Sequence, residues 1–252
     1  MTANDQTARF LDTLADSIDP VRFAARLGIV CDPWQVQALR SKEKRILLLC
    51  GRQTGKTTVS AIRCLWQALY EPNSLILLVS PTLRQSGEGF KRITAFYERL
   101  GRPLPTKQET ALTLWFSNNS RIVSLPSSEH IRGFSADLVC VDEAAHCSDE
   151  LFTAIMPVLA VTQGTAILSS TPWVPSGYMY RQWFEGGPEW LRIKTSSEDC
   201  PRIEKSFLGS EKQALGQFYS AEYCADWISA ESCFFDRDEV LAAFTDEIEP
   251  LL

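Results

Sequence analysis

Nine consecutive residues, Cys50-Gly51-Arg52-Gln53-Thr54-Gly55-Lys56-Thr57-Thr58, bring together the residue types that phosphate binding needs. Successive backbone N–H groups that run into a helix N-terminus form a concave positive site. Gly51, Gln53, Thr54 and Thr58 build the loop around that site, and Gly55 lets the backbone approach the phosphates closely. Lys56 can reach the β and γ phosphates of a nucleotide, and the Thr57 hydroxyl can ligate Mg²⁺. The order departs from the usual G-x4-GK[ST]: Cys50 stands at the first glycine and Gly51 follows one place later. A Gly-Lys-Thr triplet at a helix start is weak by itself, so its setting has to carry the reading.

A second set lies far along the chain. The apolar run Leu138-Val139-Cys140-Val141 ends in Asp142-Glu143. A strand-end aspartate can hold Mg²⁺, directly or through water, and a glutamate beside it can polarise an attacking water. Alone, the pair reads as a solvated strand end. With a phosphate loop upstream it reads as the other half of a hydrolytic site for ATP. Ser169, Ser170 and Thr171 close the next apolar run, where hydroxyls can hydrogen-bond on the γ-phosphate side; their plain reading is a capped turn. In Asp32-Pro33-Trp34-Gln35, the Gln35 amide fits an adenine edge, and Trp34 could stack on the base or simply pack. Arg52, inside the loop, and Arg132, before the Asp-Glu strand, could each offset transition-state charge, Arg52 in cis and Arg132 on a neighbouring subunit. Surface ion pairs are the alternative for both.

The elements needed to position these groups are legible as alternating patterns. Residues 46–50, 75–79, 138–141 and 165–169 are short apolar runs, as expected of strands buried on both faces. Residues 56–69 carry apolar positions at helical spacing, and a second helical stretch follows Ser80-Pro81-Thr82 and ends at Leu100. Residues 112–116 and 121–125 read as a strand pair around Ser117-Asn118-Asn119-Ser120. This alternation predicts an α/β fold with a mostly parallel sheet flanked by helices. Helices are also expected before residue 27, split at Asp19-Pro20, and from Pro33 to Arg40. After Pro172 the chain turns aromatic-rich, with helical stretches at 178–184 and 203–227. The expected division is an ATPase core over 1–174, a lid or linker subdomain over 175–232 and an acidic tail over 233–252.

The chain has 252 residues, 45% of them hydrophobic, enough for one substantial core. No N-terminal apolar run reads as a signal and no window reaches membrane-span length, which predicts a cytoplasmic protein with no membrane partner. Eight cysteines form no CxxC pair, and the reduced state is expected. The formal charge is −6; residues 231–252 hold seven acidic and one basic residue, which is also −6, so the first 230 residues are neutral. Net charge therefore advertises no nucleic-acid partner. A local basic stretch runs from Arg84 to Lys107, where Arg99, Arg102 and Lys107 could track DNA phosphates or form an ordinary solvated face.

Taken in order, these motifs resemble the ATPase domain of the large terminase subunit, the DNA-packaging motor of tailed bacteriophages. The resemblance rests on the arginine-bearing phosphate loop, Ser80-Pro81-Thr82 with Gln85, the stretch from Leu125-Pro126 to Arg132-Gly133-Phe134, Val141-Asp142-Glu143-Ala144-Ala145, and Ser170-Thr171-Pro172. It spans about Pro33 to Trp227. It implies a RecA-like P-loop NTPase fold of the additional-strand, catalytic-glutamate type. It also implies a water-orienting Glu143, a coupling role for Ser169, Ser170 and Thr171, adenine contact by Gln35, and cis and trans roles for Arg52 and Arg132. ATP and Mg²⁺ are the implied cofactors. The implied partners are double-stranded DNA, a portal protein, a small terminase subunit and further copies in a ring, docked transiently on a procapsid in the infected host's cytoplasm. Large terminases also carry a nuclease domain, for which Asp236, Asp238 and Glu239 are too few carboxylates, so no nuclease activity is expected. Two other functions fit the motifs: a helicase-like translocase, which usually needs a second lobe, and a nucleotide-gated binding module, which would not need Glu143.

Overall fold

The computed structural model describes residues 3–127 and 131–227; the expected acidic tail, with Asp236, Asp238 and Glu239, lies outside them. Three helices lead in: α1 (Ala3–Ile18), α2 (Pro20–Arg26) and α3 (Pro33–Arg40). Asp19 caps α2, its side chain accepting from the Val21 N–H, and proline opens both α2 and α3, where its missing N–H is no loss. Then come β1 (Arg45–Cys50), α4 (Lys56–Tyr70), β2 (Leu75–Ser80), α5 (Leu83–Arg99), β3 (Thr106–Glu109), β4 (Thr113–Phe116) and β5 (Arg121–Pro126). The chain continues through β6 (Leu138–Asp142), α6 (Asp149–Ala160), β7 (Thr165–Ser170), α7 (Gly177–Phe184), β8 (Trp190–Thr195), α8 (Lys205–Leu215) and α9 (Phe218–Cys224).

The strands form one eight-stranded sheet in the order β3-β4-β5-β2-β6-β7-β1-β8. Six neighbouring strands, from β5 to β8, run parallel, and β3 and β4 add an antiparallel edge. The apolar runs read as doubly buried strands do divide their side chains between two cores. Ile46, Leu48, Ile76, Leu78, Leu138 and Cys140 join the helices α2 to α5 on one face. Leu47, Leu49, Leu77, Val79, Val139 and Val141 meet α6 and α7 on the other.

Two departures from the sequence reading matter for the site. Within the stretch 175–232, expected as a lid or linker subdomain, residues 190–195 belong to the core sheet: β8 pairs in parallel with β1 along its whole length, from Arg45↔Trp190 to Cys50↔Thr195. Among the described residues, α8 and α9 form a small cluster of their own around Leu208, Tyr219 and Tyr223. The expected helix over 203–227 is broken at Gly216, whose φ of 54° ends α8.

Candidate active site

The catalytic candidates meet because β1, β7 and β6 are adjacent and parallel, so their C-terminal ends open on one edge, where α/β sheets place ligand sites. The loop 51–55 links β1 to α4, and Gly55 takes a left-handed φ of 100° that carries the chain into the first turn. The Thr54 hydroxyl donates to the Gly51 carbonyl at 2.9 Å and fixes the loop from inside. Cys50 is fully buried, and burial pushes its thiol up to about 12. At the first loop position it is therefore an inert core side chain. Gly51 is needed for another reason. A Cβ there would collide with the Ser197 hydroxyl and the Tyr223 carbonyl, while the Gly51 N–H donates to the Thr195 carbonyl at 2.9 Å.

Opposite the loop, the register pairs Asp142 with Ser169. The Ser169 hydroxyl donates to Asp142 Oδ1 at 3.1 Å, and the Thr57 hydroxyl donates to Asp142 Oδ2 at 2.8 Å. Glu143 follows in a left-handed conformation, φ 53°, which an L residue adopts only under local constraint. Its carboxylate is 3.0 Å from Lys56 Nζ and accepts from the Ser170 hydroxyl at 3.2 Å. Burial, and then the Glu143 charge, hold the Asp142 carboxyl above the ordinary aspartate range, against the pull of Lys56, Thr57 and Ser169. Two acids, one amine and three hydroxyls are thus joined in one network.

Above this network lies a cleft of about 1100 Å³, lined by Arg52, Gln53, Gly55, Lys56, Thr57, Thr58, Glu143 and Thr171 among others. Its volume suits a nucleotide. Other candidate residues lie elsewhere. Gln35 sits behind the loop at 3% exposure; its Oε1 accepts from the Asp32 N–H at 2.9 Å and its Nε2 donates to the Thr54 carbonyl at 3.2 Å. That geometry makes it a brace of the loop. Trp34 packs against the core under α2 to α5. Arg132 lines a separate cavity of about 350 Å³ with Phe134, Pro157 and Val158. Arg52, by contrast, is on the cleft wall, where it pairs with Glu222 on α9, its Nη2 donating at 3.1 Å. In the basic stretch, Arg99 donates to the Leu27 carbonyl at 2.8 Å, Arg102 pairs with Glu98 and Glu109, and Lys107 donates to Asn119.

Three further cleft residues are not among those the sequence motifs single out. Arg202 is held by Asp32 at 2.6 Å and donates to the Thr54 carbonyl at 3.1 Å. Phe207, from the start of α8, is 46% exposed on the same wall. Arg92, from α5, donates to the Thr58 hydroxyl at 2.6 Å. The partners of Arg202 and Arg92 lie far away in the chain, so no local spacing marks either residue.

Comparison with known proteins gives concordant likenesses. The family model described as "Terminase large subunit, T4likevirus-type, N-terminal" matches residues 47–245. The large terminase subunit of Thermus phage G20c is 28% identical over 172 residues, covering 60% of this chain and 36% of that protein. The chain thus spans about a third of that relative's length. Among solved structures, the large terminase ATPase domain of Thermus phage P74-26 superposes with a TM-score of 0.75 at 22% identity, over 83% of this chain and 99% of that one. The large terminase of another thermophilic bacteriophage, solved in complex with ADP, gives a TM-score of 0.64 at 14% identity, over 83% of this chain and 57% of that one. At such identities the structural likeness shows a common fold.

Proposed function

The chain belongs to the terminase large-subunit family, and on that premise we propose that it hydrolyses ATP to drive double-stranded viral DNA into a procapsid. The observation that carries this reading is the junction of the two motifs: Thr57 on Asp142 at 2.8 Å and Lys56 on Glu143 at 3.0 Å. A binding module has no use for a second carboxylate fixed beside the phosphate lysine, whereas a hydrolase needs it to take up a proton from water.

The residues divide the work as follows. Backbone N–H groups of the loop and the N-terminus of α4 cradle the phosphates. Lys56 moves from Glu143 to phosphate oxygens. That exchange frees the Glu143 carboxylate to accept a water proton while Ser170 keeps it aimed. Thr57 and Asp142 offer a hydroxyl and a carboxylate side by side, the oxygen donors Mg²⁺ favours. Mg²⁺ commonly sits on one or two such groups plus substrate phosphates, without an all-protein cage. When bound, Mg²⁺ would neutralise charge on the β and γ phosphates.

Arg52 would act in cis by leaving Glu222, and Arg132 in trans on a neighbouring subunit's cleft. Residues 205–224, which carry Phe207 and Glu222, serve as the lid over the nucleotide. Of the three residues assigned to DNA, Arg102 would have to leave Glu98 and Glu109 to engage a phosphate, whereas Arg99 and Lys107 donate to the neutral Leu27 carbonyl and Asn119 side chain. The assembled partners are a portal protein, a small terminase subunit and a ring of copies in the host cytoplasm. No described helix is long and apolar enough to cross a membrane. The test is phosphate release from ATP with and without Mg²⁺. Turnover is expected to need Mg²⁺ and to vanish, together with nucleotide binding, in Lys56→Ala. Undiminished binding by Lys56→Ala would place the nucleotide elsewhere.

A further inference from the structure

Four cations line the cleft, Arg52, Lys56, Arg92 and Arg202. Three of them already hold a carboxylate: Arg52 has Glu222, Lys56 has Glu143 at 3.0 Å, and Arg202 has Asp32 at 2.6 Å. Arg92 has none within ion-pair distance among the described residues. The acid best placed on its own helix, Glu88 at i−4, is taken by Lys91 at 2.8 Å. The guanidinium of Arg92 donates to the neutral Thr58 hydroxyl at 2.6 Å. A guanidinium has five N–H donors in a planar fork that matches phosphate oxygens, and one neutral hydroxyl leaves most of them unused.

Position points the same way. Thr58 lies two residues after Lys56, in the first turn of α4. Arg92 also lines a smaller cavity of about 290 Å³ together with Thr57, Asp142 and Glu143, so it stands on the wall between the main cleft and the acids. A polyphosphate seated on Lys56 and Thr57 brings several negative charges to this wall. For any other cleft cation, meeting those charges means giving up an ion pair. For Arg92 it means leaving a hydroxyl that water or the phosphate itself can satisfy.

We propose that Arg92 is a nucleotide-contacting residue that swings from Thr58 onto the phosphate chain, and so lets α5 register whether the cleft is filled. This rests on the ATPase reading above and names a residue that reading does not use. The same helix ends at Arg99, close in sequence to Arg102, so a phosphate contact at its middle would link nucleotide to the basic end of α5.

The test is calorimetric binding of Mg·ATPγS and of inorganic tripolyphosphate to wild type, Arg92→Ala, Arg92→Gln and Lys56→Ala, with Tm measured without ligand. Arg92→Gln keeps a donor for Thr58 but removes the charge. Both Arg92 variants are expected to bind both probes about tenfold or more weakly, the scale of a lost charge-assisted hydrogen bond, with Tm unchanged. Wild-type affinity in both Arg92 variants, with binding lost in Lys56→Ala, overturns the proposal and leaves the ATPase reading intact. Weak binding by Arg92→Ala but normal binding by Arg92→Gln also overturns it, because only the Thr58 bond would then matter. No binding by wild type removes the ATPase reading and this proposal with it.

Discussion

Asp142 is held in a setting that favours its neutral form, although the Mg²⁺-holding role proposed for it requires the charge. Burial and the adjacent Glu143 raise its folded pKa above the unfolded value. A carboxyl with a raised folded pKa binds its proton more tightly in the native state. As pH climbs from the ordinary aspartate range through that raised value, its contribution to stability falls, and it stays lower above. Asp142→Asn should therefore stabilise the ligand-free protein at neutral pH, by roughly 2–4 °C in Tm if the relief is about 1 kcal/mol, and flatten this part of the pH dependence. Hydrolysis should be lost. The amide can still donate to Thr57 and accept from Ser169, so hydrogen bonding survives the change. Thermal melts across pH 4 to 8 check this, and a lower Tm for the variant at neutral pH would contradict it. Glu143 shows the same tension in its backbone, where a φ of 53° is tolerated to aim a carboxylate at Lys56 and Ser170.

Among the elements, the tightest constraint is where the phosphate loop passes under the segment after β8. Gly51 has no room for a Cβ against Ser197 and Tyr223, and Ser197 donates to the Arg52 carbonyl at 2.6 Å. Gly51→Ala should force the loop and this segment apart at a cost of about 1–3 kcal/mol, lowering Tm by roughly 5 °C and weakening nucleotide affinity. An unchanged Tm would mean the contact is looser than drawn. This junction also marks where sequence reading stops. The buried strands β1, β2, β6 and β7 and the helix α4 are legible because continuous apolar runs and helical spacing announce them. β8 is not, since Trp190-Leu-Arg-Ile-Lys-Thr is an edge strand carrying Arg192 and Lys194, and its sheet partner lies 145 residues earlier. β3, Thr-Lys-Gln-Glu, has no apolar residue and exists only through pairing with β4. α6 carries Pro157 inside, which argues locally against a helix, and packing of Leu151, Phe152, Ile155 and Leu159 overrides it. The site divides likewise: Lys56, Thr57, Asp142 and Glu143 are marked by motif, whereas Arg92 and Arg202 are brought in by packing. Gln35 has the donor and acceptor an adenine edge would want, yet one end of its amide caps α3 at Asp32 and the other braces the loop at Thr54.

For the molecule as a whole, the question is whether one chain completes the site. Arg132 opens on its own cavity, apart from the main cleft, and Arg52 is paired with Glu222. If Arg132 serves a neighbour, specific activity should rise steeply with protein concentration, and Arg132→Ala should flatten that rise to the level of dilute wild type, a loss that can reach about 10³-fold for a trans arginine. Turnover measured across a wide concentration range decides this, and a rate independent of both concentration and Arg132 would leave the cleft self-sufficient.

The most direct measurement separates binding from hydrolysis in Glu143→Gln. Glutamine keeps the shape and an acceptor for Ser170 but cannot take a proton. Nucleotide affinity should stay within a few-fold of wild type, while steady-state phosphate release falls by about 10²- to 10⁴-fold, the range for a lost general base. Turnover equal to wild type would contradict the assignment of Glu143, and with it the hydrolytic role of the paired carboxylates at the end of β6.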